Sequence, residues 1–158
     1  KLKNVYLDAF PKSQLNNLSL FLYGGPLGRW ETLQSWYDHF YFRHHWRHDL
    51  SQYKASIIYT GDGNLSSAAR WGDLNSYFGP KRSYQPLIFQ VPHHGSKKNW
   101  HDGLADTLQP ACSIFSSDPT HRGFGHPHGE VLRDFWGHSV GQVDKQLWFR
   151  IELLIRKP

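Results

Sequence analysis

The sequence predicts a layered α/β fold, and three observations carry that prediction. Apolar runs without two-residue alternation recur at residues 55–59, 87–91 and 113–116, segments with helical spacing lie between them, and the loops that end the runs are rich in Gly, Pro, His and Asp. Strands buried on both faces need unbroken apolar runs, and helices placed between such strands imply parallel crossovers with the chemistry at the strand ends. At 158 residues the chain is long enough for one domain with a core and too short for two ordinary ones.

The elements follow in order. Residues 18–23 (Leu-Ser-Leu-Phe-Leu-Tyr) read as a strand that stops at Gly24-Gly25-Pro26, a strong turn signal. In residues 31–50, Leu33, Trp36, Tyr37, Phe40 and Tyr41 recur at helical spacing and run on into Arg43-His44-His45-Trp46-Arg47-His48-Asp49, which predicts one aromatic-faced helix. A strand over 55–59 precedes a helix over 66–78, with Leu65, Ala68, Ala69, Leu74 and Phe78 inward and Gly79-Pro80 as its stop. The strand over 87–91 closes at the Gly95-Ser96 turn. Leu104 and Leu108 then mark a short helix ended by Pro110, followed by a strand over 113–116 and a loop over 117–127. A helix over 129–136 and a final strand pair around Val143 and 148–155 complete the chain. No internal repeat or low-complexity tract is present.

Composition narrows the partners. The formal charge is +5, from 18 Lys and Arg against 13 Asp and Glu, which favours a polyanionic partner, nucleic acid before membrane. The basic residues are dispersed, and Lys97 and Lys98 directly follow the His-His-Gly-Ser segment. No apolar run reaches the length of a membrane span and no charged-then-apolar leader is present, so a soluble piece is expected, with the cytoplasm as its compartment. The chain begins at Lys1 and contains no Met, so a processed product or a portion of a longer protein is expected. One cysteine excludes an internal disulfide and a multi-cysteine zinc site, and the setting Ala111-Cys112-Ser113-Ile114-Phe115 is that of core filler.

Three short segments carry metal-ligand or proton-transfer side chains. Thr60-Gly61-Asp62-Gly63-Asn64 places a carboxylate on a tight turn at a strand end, where a cation can approach; Gly-Asp-Gly is also an everyday turn. Pro92-His93-His94-Gly95-Ser96 places two imidazoles at the next strand end. Adjacent histidines do not usually face the same way, so one is expected to ligate and the other to orient it or touch substrate. Gly125-His126-Pro127-His128-Gly129-Glu130 opens a helix, where an imidazole can meet a phosphate or donate a proton to a leaving oxygen. Neighbouring strands open their ends on one rim, so a carboxylate from one and an imidazole from the next can converge on a single cation.

In this order, Asp62, then His93-His94-Gly95-Ser96, then Gly125-His126-Pro127, together with Asn17-Leu18-Ser19-Leu20 upstream, resemble the C-terminal half of the metallo-β-lactamase fold. The likeness is greatest to the soluble hydrolase domain of ComEC-type competence proteins, and it covers roughly residues 16–135. The resemblance implies a four-layer αββα sandwich, incomplete on its N-terminal side, over a single domain from 1 to 158 with an insertion at about 28–55. It further implies a hydrolase with zinc or manganese, commonly two ions, that uses a metal-activated water on phosphodiester or related ester bonds. In that pattern Asp62 is the carboxylate shared between metals, His93 or His94 a terminal ligand with His93 favoured, and His126 lies near the scissile group as proton donor or oxyanion contact. Asn64, Ser96, Lys97 and His128 are the expected substrate contacts, with Lys98 and Arg122 available to backbone phosphates.

The chain departs from the family pattern in one large respect: the His-x-His-x-Asp-His motif is absent from its 158 residues. His44-His45-Trp46-Arg47-His48-Asp49 has the ingredients at another spacing. Two functional classes follow. The first is part of a metal-dependent phosphodiesterase or nuclease, completed by a missing N-terminal region or a partner chain. The second is a non-catalytic binding module that keeps the fold and uses its aromatic insertion and basic loops to hold a partner. A structural metal site on His44, His48, His121 or His128 is a third alternative, and it would keep its metal without Asp62.

Overall fold

The computed structural model describes residues 21–26, 31–39, 53–118, 120, 123 and 125–156. A five-stranded sheet in the order β1-β3-β4-β5-β6 forms its centre, made of β1 (Leu22–Gly24), β3 (Lys54–Tyr59), β4 (Pro86–Gln90), β5 (Cys112–Ser116) and β6 (Val140–Val143). Strands β3 to β6 are parallel, and β1 pairs antiparallel with β3 at the edge. A separate antiparallel pair joins β2 (Glu31–His39) to β7 (Phe149–Arg156). The mixed α/β class read from the sequence is therefore present, with a mostly parallel sheet.

The crossovers are short because each helix has firm stops. Helix α1 (Ala68–Phe78) starts at Ser67, whose hydroxyl accepts the Arg70 N–H at 3.3 Å, and ends at Gly79, whose N–H donates to Asn75 O. Pro80, which has no N–H to contribute, then opens the single turn α2 (Pro80–Ser83). Helix α3 (Leu104–Leu108) stops at Gln109, which is left-handed at φ 50°. Helix α4 (Gly129–Phe135) follows the long loop after β5. Asp134 of α4 reaches back to α3 and its entry, accepting from Trp100 Nε1 at 2.7 Å, Gly103 N at 3.2 Å and Ala105 N at 3.1 Å, and so ties the two helices together.

Alternation along the parallel strands divides the core in two. Ile58, Phe89 and Phe115 gather with Trp71, Leu74 and Phe78 of α1, Leu104 and Leu108 of α3, and Val131 and Phe135 of α4. Phe135 stacks on Phe89 at 5.8 Å and meets Phe115 edge-on at 6.0 Å between ring centres. Full burial of each such ring contributes about 1.5–3 kcal/mol. The adjacent positions Ile57, Ile88 and Ile114 belong to a second cluster with Phe149 and Ile151 of β7. One face of the sheet is thus covered by helices, and β7 packs on the other.

One element differs from the sequence reading. Residues 31–39, expected as the start of an aromatic-faced helix over 31–50, form strand β2. Thr32, Trp36 and Tyr37 fit a strand as well as a helical stripe. The long apolar β7 leaves a row of backbone donors and acceptors that a partner strand satisfies and a helix does not. A register shift between Thr32 and Gln34 breaks the two-residue alternation that would have announced the strand. Residues 40–50, including His44 and His48, lie outside the described residues, as do 18–20, His121 and Arg122. Among the described residues no helix is long and apolar enough to cross a membrane.

Cys112 sits on β5 with its thiol donating to the Ser139 carbonyl at 3.0 Å, and burial pushes its pKa up to about 12. Thiolate is the reactive form. Cys112 is therefore expected to stay unmodified by a thiol-titrating disulfide reagent at pH 8 until urea is added; prompt reaction in native buffer would contradict this placement.

Candidate functional site

Strands β3, β4 and β5 end on one rim because they are parallel and paired in register, Ile58 beside Phe89 and Gln90 beside Ile114. The loops that leave this rim hold Asp62, His93 and His94, and, after a longer excursion, His126 and His128. The first loop is built by a tight turn in which Gly63 N–H donates to Thr60 O at 2.8 Å. Gly63 has no room for a side chain: a Cβ there would collide with the Phe21 ring and lie 2.7 Å from Thr60 O.

Two side chains that the sequence reading passed over hold this loop. Gln90, the polar end of an otherwise apolar run, accepts from Thr60 N and Gly61 N with Oε1, each at 3.2 Å, while its carbonyl accepts the Thr60 hydroxyl at 2.7 Å. Asn99, only 6 % exposed, donates from Nδ2 to Gly63 O at 3.1 Å, and its carbonyl accepts Leu65 N–H at 2.9 Å. Its position behind Lys97-Lys98 carries no periodicity to mark it. Asn99→Ala strands the buried Gly63 carbonyl, a loss of about 1–3 kcal/mol. A lower urea midpoint is expected; an unchanged midpoint would remove Asn99 from this role.

The histidine pair sits on an unusual backbone. His93 (φ 46°), His94 (φ 59°) and Gly95 (φ 83°) are all left-handed in succession. A non-glycine residue there costs about 1–2 kcal/mol, and surrounding contacts must hold it. His93 N–H donates to Gly61 O at 2.9 Å, which locks the second loop to the first, and Ser96 N–H donates to His93 O at 2.9 Å. The third loop is joined in the same way, His128 N–H donating to Gly95 O at 3.0 Å.

Four imidazoles and one carboxylate result. Ring centres lie 5.7 Å apart for His93–His94, 5.7 Å for His93–His126, 6.3 Å for His94–His126 and 4.9 Å for His126–His128. Nε2 of His94 faces Asp62 Oδ1 at 3.4 Å, so the imidazole nitrogen opposed to the carboxylate is that of His94. Nδ1 of His94 lies on the Ser116 carbonyl, which can only accept, so Nδ1 carries the proton. In the neutral ring Nε2 then presents a lone pair to a carboxylate. That juxtaposition is unfavourable unless a proton or a cation lies between them.

Ligand fit can be judged from this pair. Two donors held by one tetrahedral zinc at about 2.0–2.2 Å are roughly 3.3–3.5 Å apart, the separation seen between His94 and Asp62. A backbone carbonyl fixing the far nitrogen is the usual outer support of a ligating imidazole. Among the described residues no group of three or more His, Cys, Asp or Glu side chains is set to hold an ion. The residues fit a metal as a two-donor half-site.

The other expected contacts fall as follows. His126 is half-buried, and burial first, then His128, His93 and His94, lower its pKa, so it is neutral at pH 7. Nδ1 of His128 lies 3.4 Å from both Lys97 N and Gly95 O, bridging two loops. Asn64 Oδ1 accepts Ser66 N–H at 3.0 Å, and the buried Ser96 hydroxyl accepts Lys98 N–H at 3.3 Å, so both serve their own turns. A cavity of about 390 Å³ brings His93, His126 and His128 together with Lys97 and Lys98. Lys97 also lies 3.9 Å from Glu130, an exposed pair of little energetic weight.

Comparisons with protein-family models, curated proteins and solved structures gave no match.

Proposed function

We propose that this chain is the C-terminal portion of a metal-dependent hydrolase acting on phosphodiester bonds, with nucleic acid or a nucleotide ester as the substrate class. The observation that carries the reading is the pairing of Asp62 Oδ1 with Nε2 of His94 at ligand–ligand spacing, on a rim where one loop delivers the carboxylate and two deliver histidines. In the same reading the helices, the five-stranded sheet and the β2–β7 pair are three layers of an αββα sandwich whose remaining part precedes this chain or comes from a partner.

Asp62 and His94 would hold zinc or manganese, with His93 the nearest addition. When bound, such a cation polarises a phosphoryl oxygen and acidifies a water. The chain's own residues account for the rest. His126, neutral at pH 7, acts as an N–H donor to a phosphoryl oxygen in preference to a general acid, because its lowered pKa leaves it without the extra proton. Lys97 and Lys98 line the cavity beside it and match the charge of a phosphodiester backbone. Asn99, Gln90 and the Gly61 carbonyl position the loops that carry Asp62 and His93.

The test is metal content by elemental mass spectrometry and phosphodiester cleavage in added zinc or manganese, for the chain and for Asp62→Ala. Metal and cleavage lost together in the variant support the reading. The two-donor geometry also suits a module that keeps the shell without turnover. Absence of metal, or metal indifferent to Asp62, would select that binding module or a separate histidine site.

A further inference from the structure

A second cavity, of about 430 Å³, shares His126 with the lysine-lined one. His94 and His126 form one wall, and Ser117, Asp118, Val143 and Lys145 form much of the rest. Its size is that of a small-ligand pocket. Its chemistry differs sharply from its neighbour's.

Among the described residues that line it are the carboxylates of Asp118 and Asp144 and one ammonium, that of Lys145. Both acids are held below the usual carboxylate range, Asp118 chiefly by the Thr120 hydroxyl and Asp144 chiefly by the Gln146 N–H, so both are ionised at neutral pH. A phosphate is repelled there. A neutral group with N–H donors is attracted, and a carbonyl acceptor on it has Lys145. Asp144 is committed to its turn, Oδ1 accepting Gln146 N at 2.7 Å and Leu147 N at 2.8 Å. Among the described residues, Asp118 is engaged through Oδ1, by the amide and hydroxyl of Thr120. Ser117 is 6 % exposed, and its enclosed hydroxyl has no hydrogen-bond partner among the described residues. Buried hydroxyls are normally satisfied, so this one marks a place where a polar partner is missing. The nearly parallel rings of His94 and His126, 22° apart, add flat faces of the kind on which bases stack.

We propose that this lobe holds the nucleobase of a nucleotide ester, its phosphate lying toward His126 and the lysines, and that guanine fits it best. The proposal rests on the phosphoester reading of the His126 site. Guanine pairs two adjacent N–H donors with a carbonyl, which matches Asp118 beside Lys145; uracil offers one donor between two carbonyls. Discrimination by a bidentate contact of this kind is about tenfold or more.

The test is calorimetric titration of the full chain with guanosine 5′-monophosphate, uridine 5′-monophosphate and ribose 5-phosphate, with and without zinc. The guanosine nucleotide is expected to bind at least about tenfold more tightly than the other two, and the preference is expected to shrink below about threefold in Asp118→Asn and in Lys145→Ala. Both substitutions are at surface-accessible side chains, so a folding defect does not stand in for the result. Equal affinity for all three ligands, no binding of any, or a preference that both variants retain would overturn the proposal. The two readings separate cleanly. Guanosine preference without metal or hydrolysis removes the hydrolase and keeps the lobe, while metal-dependent hydrolysis without base preference does the reverse.

Discussion

Changing Asp62 to alanine will lower the affinity for zinc or manganese about 100-fold or more, because it removes a direct donor and its charge, whereas outer partners alone carry about 10–100-fold. The expectation follows from the proton on His94. Its Nδ1–H is committed to the Ser116 carbonyl, so in the neutral ring Nε2 turns a lone pair toward Asp62 Oδ1 at 3.4 Å, where a cation can take the place of a proton. Replacing the carboxylate leaves a single imidazole donor, which does not define a site. Asp62 is exposed, so the fold should persist, and unchanged circular dichroism separates loss of a ligand from loss of structure. His94→Ala should match Asp62→Ala in metal content. Metal retained by both variants, measured by elemental mass spectrometry after dialysis, would move the ion elsewhere in the chain.

Gly95→Ala is expected to destabilise the protein by about 3 kcal/mol, combining the left-handed penalty with overpacking. Gly95 has φ 83°, and a Cβ there would lie 2.7 Å from Pro127 Cβ and 2.8 Å from the Phe115 ring. Phe115 is 1 % exposed and packs in the main core. At this chain length the melting temperature should fall by about 6–12 °C. The change should also displace the histidines on either side, because Gly95 O receives His128 N–H and thereby joins the loop of His93 and His94 to that of His126. Gly72→Ala is the control, since nothing lies within 4 Å of its Cβ position in the middle of α1. That change should stabilise by about 0.5–1 kcal/mol through helix propensity. Equal effects of the two substitutions would sink the packing argument.

Much of the parallel sheet was legible because its strands are buried on both faces. Residues 55–59, 87–91 and 113–116 had no polar alternation to confuse the reading, and β3, β4 and β5 lie there to within a residue or two. Helix α1 was equally plain, bounded by Ser67 and by Gly79-Pro80. Strand β2 was not. Its aromatic residues satisfy a helical stripe and a strand alike, and the deciding partner, β7, lies more than a hundred residues away. Local pattern cannot weigh a backbone ladder whose other half is that distant.

The candidate site divides along the same line. Asp62, His93, His94 and His126 could be singled out from chain order alone, because strand ends in a parallel sheet share a rim and these residue types ligate or move protons. Gln90, Asn99, Asp118 and Lys145 could not, since nothing in their neighbours sets them apart from ordinary polar loop residues. What the sequence by itself determined is the α/β class, the order of the buried strands and the residue types at their ends, all of which follow from local burial and turn chemistry. Only the tertiary structure decided that His94 is the histidine opposed to Asp62, that β2 is a strand, and that His126 lines both the cavity of Lys97 and Lys98 and that of Asp118 and Asp144. Each of those is a relation between segments distant in the chain, set by backbone hydrogen bonds and packing that no local pattern encodes.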